Sequence, residues 1–142
     1  MAEKWDKIEN KDGFYITVNL PTTQPQTAGN YGMFFTAYRS CEIMQVSEVH
    51  AVAGSDGGAV TLDIEKLTGT TALGSGDSVL AAEFDLKSTA NTVVRKTGVA
   101  LSANRGLVPG DRLALKDTGA LTDLQGIQVT LYFKFRKRGS YL

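Results

Sequence analysis

The chain has one cysteine, one histidine, one tryptophan, three prolines and no net charge, and each scarcity removes a class of answer. Cys41 stands alone, so there is no internal disulfide and no Cys-rich metal site, and it reads as a small buried apolar residue. His50 has no companion, which removes the histidine clusters on which metal enzymes of the double-sheet type depend. A Cys41–His50 dyad would need the chain to fold back between them. On one extended segment the two would stand about 30 Å apart at ~3.3 Å per residue. Fifteen basic and fifteen acidic residues cancel, which removes the long-range attraction to phosphate, so nucleic acid is not an expected partner.

No apolar stretch approaches the ~20 residues that cross a bilayer, and no Asn-x-Ser/Thr sequon occurs. Residues 1–12 alternate charges around Trp5 and Ile8. They read as a charged arm rather than a signal peptide or membrane anchor, so a soluble product made in a cytoplasm is expected. At 142 residues, the chain is one domain by length and can bury roughly two-thirds of its unfolded surface without cross-links. The expected organisation is the arm at 1–12, a β-sandwich domain at 13–138 and a short C-terminal tail at 139–142.

What is present is alternation. From Ile127 to Phe135 every odd position is large and apolar, while Gln128, Thr130, Tyr132 and Lys134 occupy the even ones. Such a run has one buried and one solvated face, the mark of a strand in an antiparallel sheet. Phe14, Ile16, Val18 and Leu20 repeat the pattern up to Pro21, and Met33 to Tyr38 forms a second apolar run. Between Cys41 and Val52 the parity slips, which predicts a bulge or bend near Ser47–Glu48. Ser55-Asp56-Gly57-Gly58 predicts a tight hairpin into Val60, Leu62 and Ile64, with Asp56 as turn former. Leu80, Ala82, Phe84 and Leu86 are expected on one face, and Val93–Val94 and Val99–Leu101 continue the β pattern. Leu113 and Leu115 follow a Pro109–Gly110 turn, and a short helix or turn fits Ala120–Leu124. About eight antiparallel strands with a bent long strand predict an all-β, two-sheet sandwich of jelly-roll type, with an immunoglobulin-like sandwich as the alternative.

Few residues carry candidate chemistry. Asp63 and Glu65 share a strand face about 6–7 Å apart, a spacing that suits a carboxylate pair or a calcium site. Beside Thr61 they read more simply as charges on a solvated face. Gly74-Ser75-Gly76 lacks the Lys-Ser/Thr of a phosphate loop. No metal, cofactor or catalytic set is expected. Lys134, Arg136, Lys137 and Arg138 put four positive charges in five positions, either to pair with an acidic partner or to protect a sheet edge from aggregation.

Several stretches resemble, as a set, small virion structural proteins of tailed bacteriophages. They are Asn19 to Pro25 leading into Ala28 to Phe35, Ser47 to Gly54 running into Gly58 to Thr68, Leu86 to Thr92, and Pro109 to Asp117, together spanning about residues 19 to 135. The resemblance implies a β-sandwich on the virion surface, a head decoration or cement protein or the folded part of a head fibre, and it transfers no catalytic residue. The expected partners are the major capsid protein and further copies of the chain, as a homotrimer on the capsid surface. Contact residues are then expected among Trp5, Ile8, Lys134, Arg136, Lys137 and Arg138. The alternative is a sugar-binding module of a fibre or adhesin, with Tyr31, Tyr38 or Tyr132 stacking on a glycan ring.

Overall fold

The computed structural model describes residues 13–20 and 32–136. Trp5, Ile8, Tyr31, Lys137 and Arg138 lie outside the described residues, as do the expected arm and C-terminal tail. The strands are β1 Gly13–Asn19, β2 Met33–Thr36, β3 Cys41–Val49, β4 Thr61–Leu67, β5 Asp77–Ser78, β6 Phe84–Asp85, β7 Val94–Thr97, β8 Gly106–Leu107, β9 Arg112–Thr118 and β10 Gln128–Phe135. Among the described residues they make two five-stranded sheets. One has the order β1-β10-β3-β7 with β8 also on β3, the other β2-β9-β4-β5 with β6 also on β4, and all the pairings are antiparallel.

The pairing is nested. The first strand lies beside the last, the second beside the next to last, the third beside β7 and β8, and the fourth beside β5 and β6. A long antiparallel ribbon folded over into two sheets gives this order, which is the jelly roll. An immunoglobulin-like sandwich would put the first strand beside the second. Eight ribbon positions yield ten strands because the stretches opposite β3 and β4 are each broken into two short pieces.

The alternation of β10 has its expected consequence. Val129, Leu131 and Phe133 are fully buried, and Phe135 is partly buried at the rim. Phe14, Ile16 and Val18 of β1 pack against the same core, which Ile43, Val46, Leu62, Ile64, Leu113 and Leu115 fill from the other strands. Pairing on both sides makes β10 an interior strand, so edge protection does not account for the charges of Lys134 and Arg136.

Three further expectations are corrected. The irregularity in β3 falls at Met44, where Tyr132 pairs with Gln45 and Phe133 with Ile43, rather than near Ser47–Glu48. Cys41 and Ile43 face inward before it, and Val46, Glu48 and His50 after it. The turn at Ser55–Gly58 closes no hairpin, because β3 and β4 belong to different sheets and the connection crosses between them. Asp56 still forms the turn, accepting from the Gly58 amide at 3.2 Å. Finally, Val99 sits on a single 3₁₀ turn, Gly98–Ala100, and is 99% exposed, whereas the reversal after Leu80 leaves Ala82 in solvent. The Ala120–Leu124 segment is a turn, with the Leu124 amide donating to the Leu121 carbonyl at 3.2 Å.

Two glycines with positive φ separate conformational strain from crowding. Gly110 (φ +95°), in the Pro109–Gly110 turn, has open space where a Cβ would stand, whereas a Cβ on Gly119 (φ +89°) would strike the Ala59 carbonyl. Gly110→Ala is therefore expected to cost about 1–2 kcal/mol from backbone conformation alone. Gly119→Ala should cost distinctly more, because the crossing from β3 to β4 must also shift. Urea unfolding of the two variants side by side tests the order.

Candidate functional site

The bulge at Met44 brings two ionisable groups inside. Glu48 and His50 are both buried, with His50 Nδ1 2.8 Å from Glu48 Oε1 and His50 Nε2 2.9 Å from the Ser88 carbonyl. A carbonyl only accepts, so Nε2 carries a proton. The Nδ1–Oε1 contact then holds one further proton, carried by the carboxyl or by the ring, and the pair is neutral as a unit either way. Burial pushes the Glu48 carboxyl up from the usual range, and the hydrogen bond and charge of His50 oppose that shift. The His50 carbonyl also accepts from the Asn91 amide at 2.7 Å. Thus His50 holds the connection between β6 and β7 from both its side chain and its backbone, and neither ring nitrogen is open to a substrate.

Cys41 opens β3 and His50 follows its last residue, so the strand keeps them at opposite ends of the sandwich. Burial pushes the Cys41 thiol up to about 11, against the pull of Arg136 and Arg39, which makes it a poor nucleophile near neutral pH.

Asp63 and Glu65 do not lie on a solvated face. Both are buried, because the glycine-rich stretch after β4 lies across that side of the sheet. The two oxygens of Glu65 accept from the Gly74 amide at 2.7 Å and the Gly76 amide at 2.9 Å. Asp63 Oδ1 accepts from the Ile64 amide at 2.7 Å and the Ser78 hydroxyl at 2.6 Å. Lys116 Nζ donates to the Gly74 carbonyl at 3.0 Å, and Arg112 Nη2 to the Gly69 and Thr71 carbonyls at 2.9 and 3.0 Å. The Gly74 and Gly76 amides therefore have their acceptor in the protein's own Glu65, and the Ser75 amide donates to the Ala72 carbonyl at 3.1 Å. Burial raises the Asp63 carboxyl, with the Ser78 and Ile64 hydrogen bonds opposing. No group of three or more His, Cys, Asp or Glu side chains among the described residues is placed to hold a metal ion.

Of the expected contact residues, the structure describes two and does not use them alike. Lys134 is exposed on β10. Arg136 turns to Glu42, at 3.8 Å, and shares it with Arg105, whose Nε lies 3.0 Å from the other oxygen.

The accessible features are surfaces. At the end where β1 and β3 begin and β10 finishes, Phe14, Phe35, Thr36, Tyr38, Arg39, Cys41 and Phe135 line a cleft of about 230 Å³. Phe14 stacks on Phe133 at 4.7 Å and meets Phe135 at 4.9 Å, while Phe35 stacks on Phe133 at 4.8 Å. The Arg39 guanidinium lies 4.1 Å over the Phe135 ring, a cation–π contact, and Tyr38 beside it is 92% exposed. A more polar opening of about 420 Å³ lies at the other end, over His50, Asn91 and Gln128. On the outer face of β1 and β10, three cross-strand pairs form a row. Tyr15 and Tyr132 have ring centroids 4.7 Å apart, Thr17 and Thr130 hydroxyls are 3.2 Å apart, and Gln128 donates to Asn19 at 3.3 Å.

Set against known proteins, the chain matches no family model and no curated sequence.

Two outcomes follow from the buried groups. His50→Ala strands the Glu48 carboxyl and frees the Ser88 carbonyl, and should cost about 3–5 kcal/mol in urea unfolding, the usual loss for breaking a buried pair. Asp117 is buried beside Leu113 and Leu115 on the inward face of β9, with no partner for either carboxylate oxygen in another residue. Burial raises its carboxyl, so the folded chain holds that proton more tightly than the unfolded chain. Stability is then lost as pH rises from the ordinary carboxylate range through the raised folded value. Asp117→Asn removes this loss. The unfolding midpoint of the variant, relative to the unmodified chain, should shift in the variant's favour as pH is raised from acid to neutral.

Proposed function

We propose that the protein is a structural component of a tailed-bacteriophage virion, a head decoration or cement protein that binds the outer shell of major capsid protein as a homotrimer. The observation that carries this reading is that most of the buried ionisable side chains tie one part of the sandwich to another. Glu48 and His50 hold one loop, and Asp63 and Glu65 hold another. What is left accessible is contact surface: an aromatic cleft, the exposed Tyr38 and Val99, and the outer face of β1 and β10 around Tyr15. A rigid sandwich with such surfaces suits adhesion to a lattice better than turnover. The stretches that resemble virion proteins favour the same reading, and jelly rolls serve widely in capsid and lectin domains. Balanced charge argues against a nucleic-acid partner, and no helix among the described residues is long and apolar enough to cross a membrane.

A glycan-binding module is the second reading, and the Tyr15–Tyr132 pair favours it. Tyr15 is 69% exposed, and the hydroxyls and amides beside it could bond a sugar whose ring stacks on the phenol. Binding of the purified protein to heads prepared without it separates the two. The decoration reading predicts saturable co-sedimentation with heads that Tyr15→Ala leaves unchanged, and a trimer by light scattering. Failure to bind heads, together with Tyr15-dependent binding on a glycan array, would select the second.

A further inference from the structure

We infer that the aromatic cleft at the β1 end receives Trp5 from the N-terminal arm of a neighbouring copy, so that arm exchange holds the oligomer together. The inference takes the self-association of the preceding reading and names the site that carries it. The cleft is walled by phenyl rings and open to solvent, and its one rim charge, Arg39, has no ion-pair partner among the described residues. An occupant should therefore be aromatic with an acidic neighbour. The chain supplies that combination at Trp5-Asp6, in the residues that precede the strand whose Phe14 lines the cleft.

Reach decides between the chain's own cleft and another's. Trp5 lies eight residues before Gly13, a span of about 26 Å when extended. Gly13 is already in register with Lys134, and a Cβ there would lie 2.5 Å from the Tyr132 hydroxyl and 2.9 Å from the Phe133 carbonyl. β1 begins at the cleft end, and an arm that continued its direction would carry Trp5 away from the cleft that Phe14 lines. Filling its own cleft would require a reversal within the arm. A neighbouring cleft requires none, and arms passed in one direction around a rotation axis close into a ring. A buried indole with a charge pair at its rim is the kind of contact that dominates an interface.

The test exploits the single tryptophan, because indole emission from the full chain then reports Trp5 alone. In a dilution series of the purified protein, emission should be blue-shifted in the oligomer. It should move to the water-exposed position over the same concentration range in which sedimentation shows dissociation. Tyr38→Ala alters only an exposed rim position and should leave the thermal melt intact. Arg39→Ala also gives up its contact with the Phe135 ring and should lower the melt slightly. Each should weaken association about tenfold. Solvent-exposed emission in the oligomer overturns the inference. So does blue-shifted emission that persists in the monomer, which would place the indole in its own cleft, and so do rim variants that associate as tightly as the unmodified chain. No heads enter this experiment. Arm exchange without head binding would therefore count against the decoration role alone.

Discussion

A buried carboxylate in a sandwich this small is costly unless its oxygens find donors, and that constraint arranges the loops of this protein. Glu65 draws the Gly74 and Gly76 amides onto the sheet, and Asp63 fixes Ser78, the residue that pairs with Glu65 in β5. Glu48, through His50, fixes the Ser88–Asn91 connection. These loops lie where the ribbon positions opposite β3 and β4 break into short strands. Side-chain ties there replace ladder bonds that the broken strands do not make. The edges made by these broken strands are short, which limits edge-to-edge aggregation there, while the seven-residue β1 forms the opposite edge of its sheet.

The two ends of the sandwich consequently differ. At the end where β3 finishes, His50 anchors the neighbouring loop and the opening above it is polar. Where β3 starts, the sheets meet through phenyl rings with Arg39 over one of them, and Lys66 Nζ of β4 donates to the Gly106 carbonyl of β8 at 3.1 Å. The tied end follows from the bulge at Met44. Without the extra residue, the inward parity of Cys41 and Ile43 would have continued to Gln45, Ser47 and Val49, leaving Glu48 and His50 in solvent. One inserted residue therefore turns both groups inward.

Much of the fold was legible because alternation survives wherever a strand has one wet face. The runs from Phe14 and from Ile127 give β1 and β10 almost to the residue, and their strand count with the turn spacing leads to a jelly roll. The polar interior was not legible. Asp63 and Glu65 alternate with Leu62 and Ile64 as solvated charges would, and only the loop folded over them turns that face into an interior. The signal available was the glycine pattern at 74 and 76, which a carboxylate two strand positions past Asp63 can bridge. Met44 has the pattern of an in-phase apolar residue, which hides the bulge and with it the inward turn of Glu48 and His50. The cleft was hidden for a related reason: Phe14, Phe35, Phe133 and Phe135 each read as ordinary core, and only the register gathers them at one rim.

Amide hydrogen exchange on the folded protein tests most directly whether buried polar ties, rather than the strands alone, order this molecule. The Gly74, Gly76 and Asn91 amides stand in segments outside the named strands and donate to Glu65 and to the His50 carbonyl. They should exchange as slowly as amides of β4 and β9, and in Glu65→Gln the Gly74 and Gly76 amides should become markedly faster while Asn91 does not. Exchange of all three at the rate of unprotected loop amides in the unmodified protein would contradict the account.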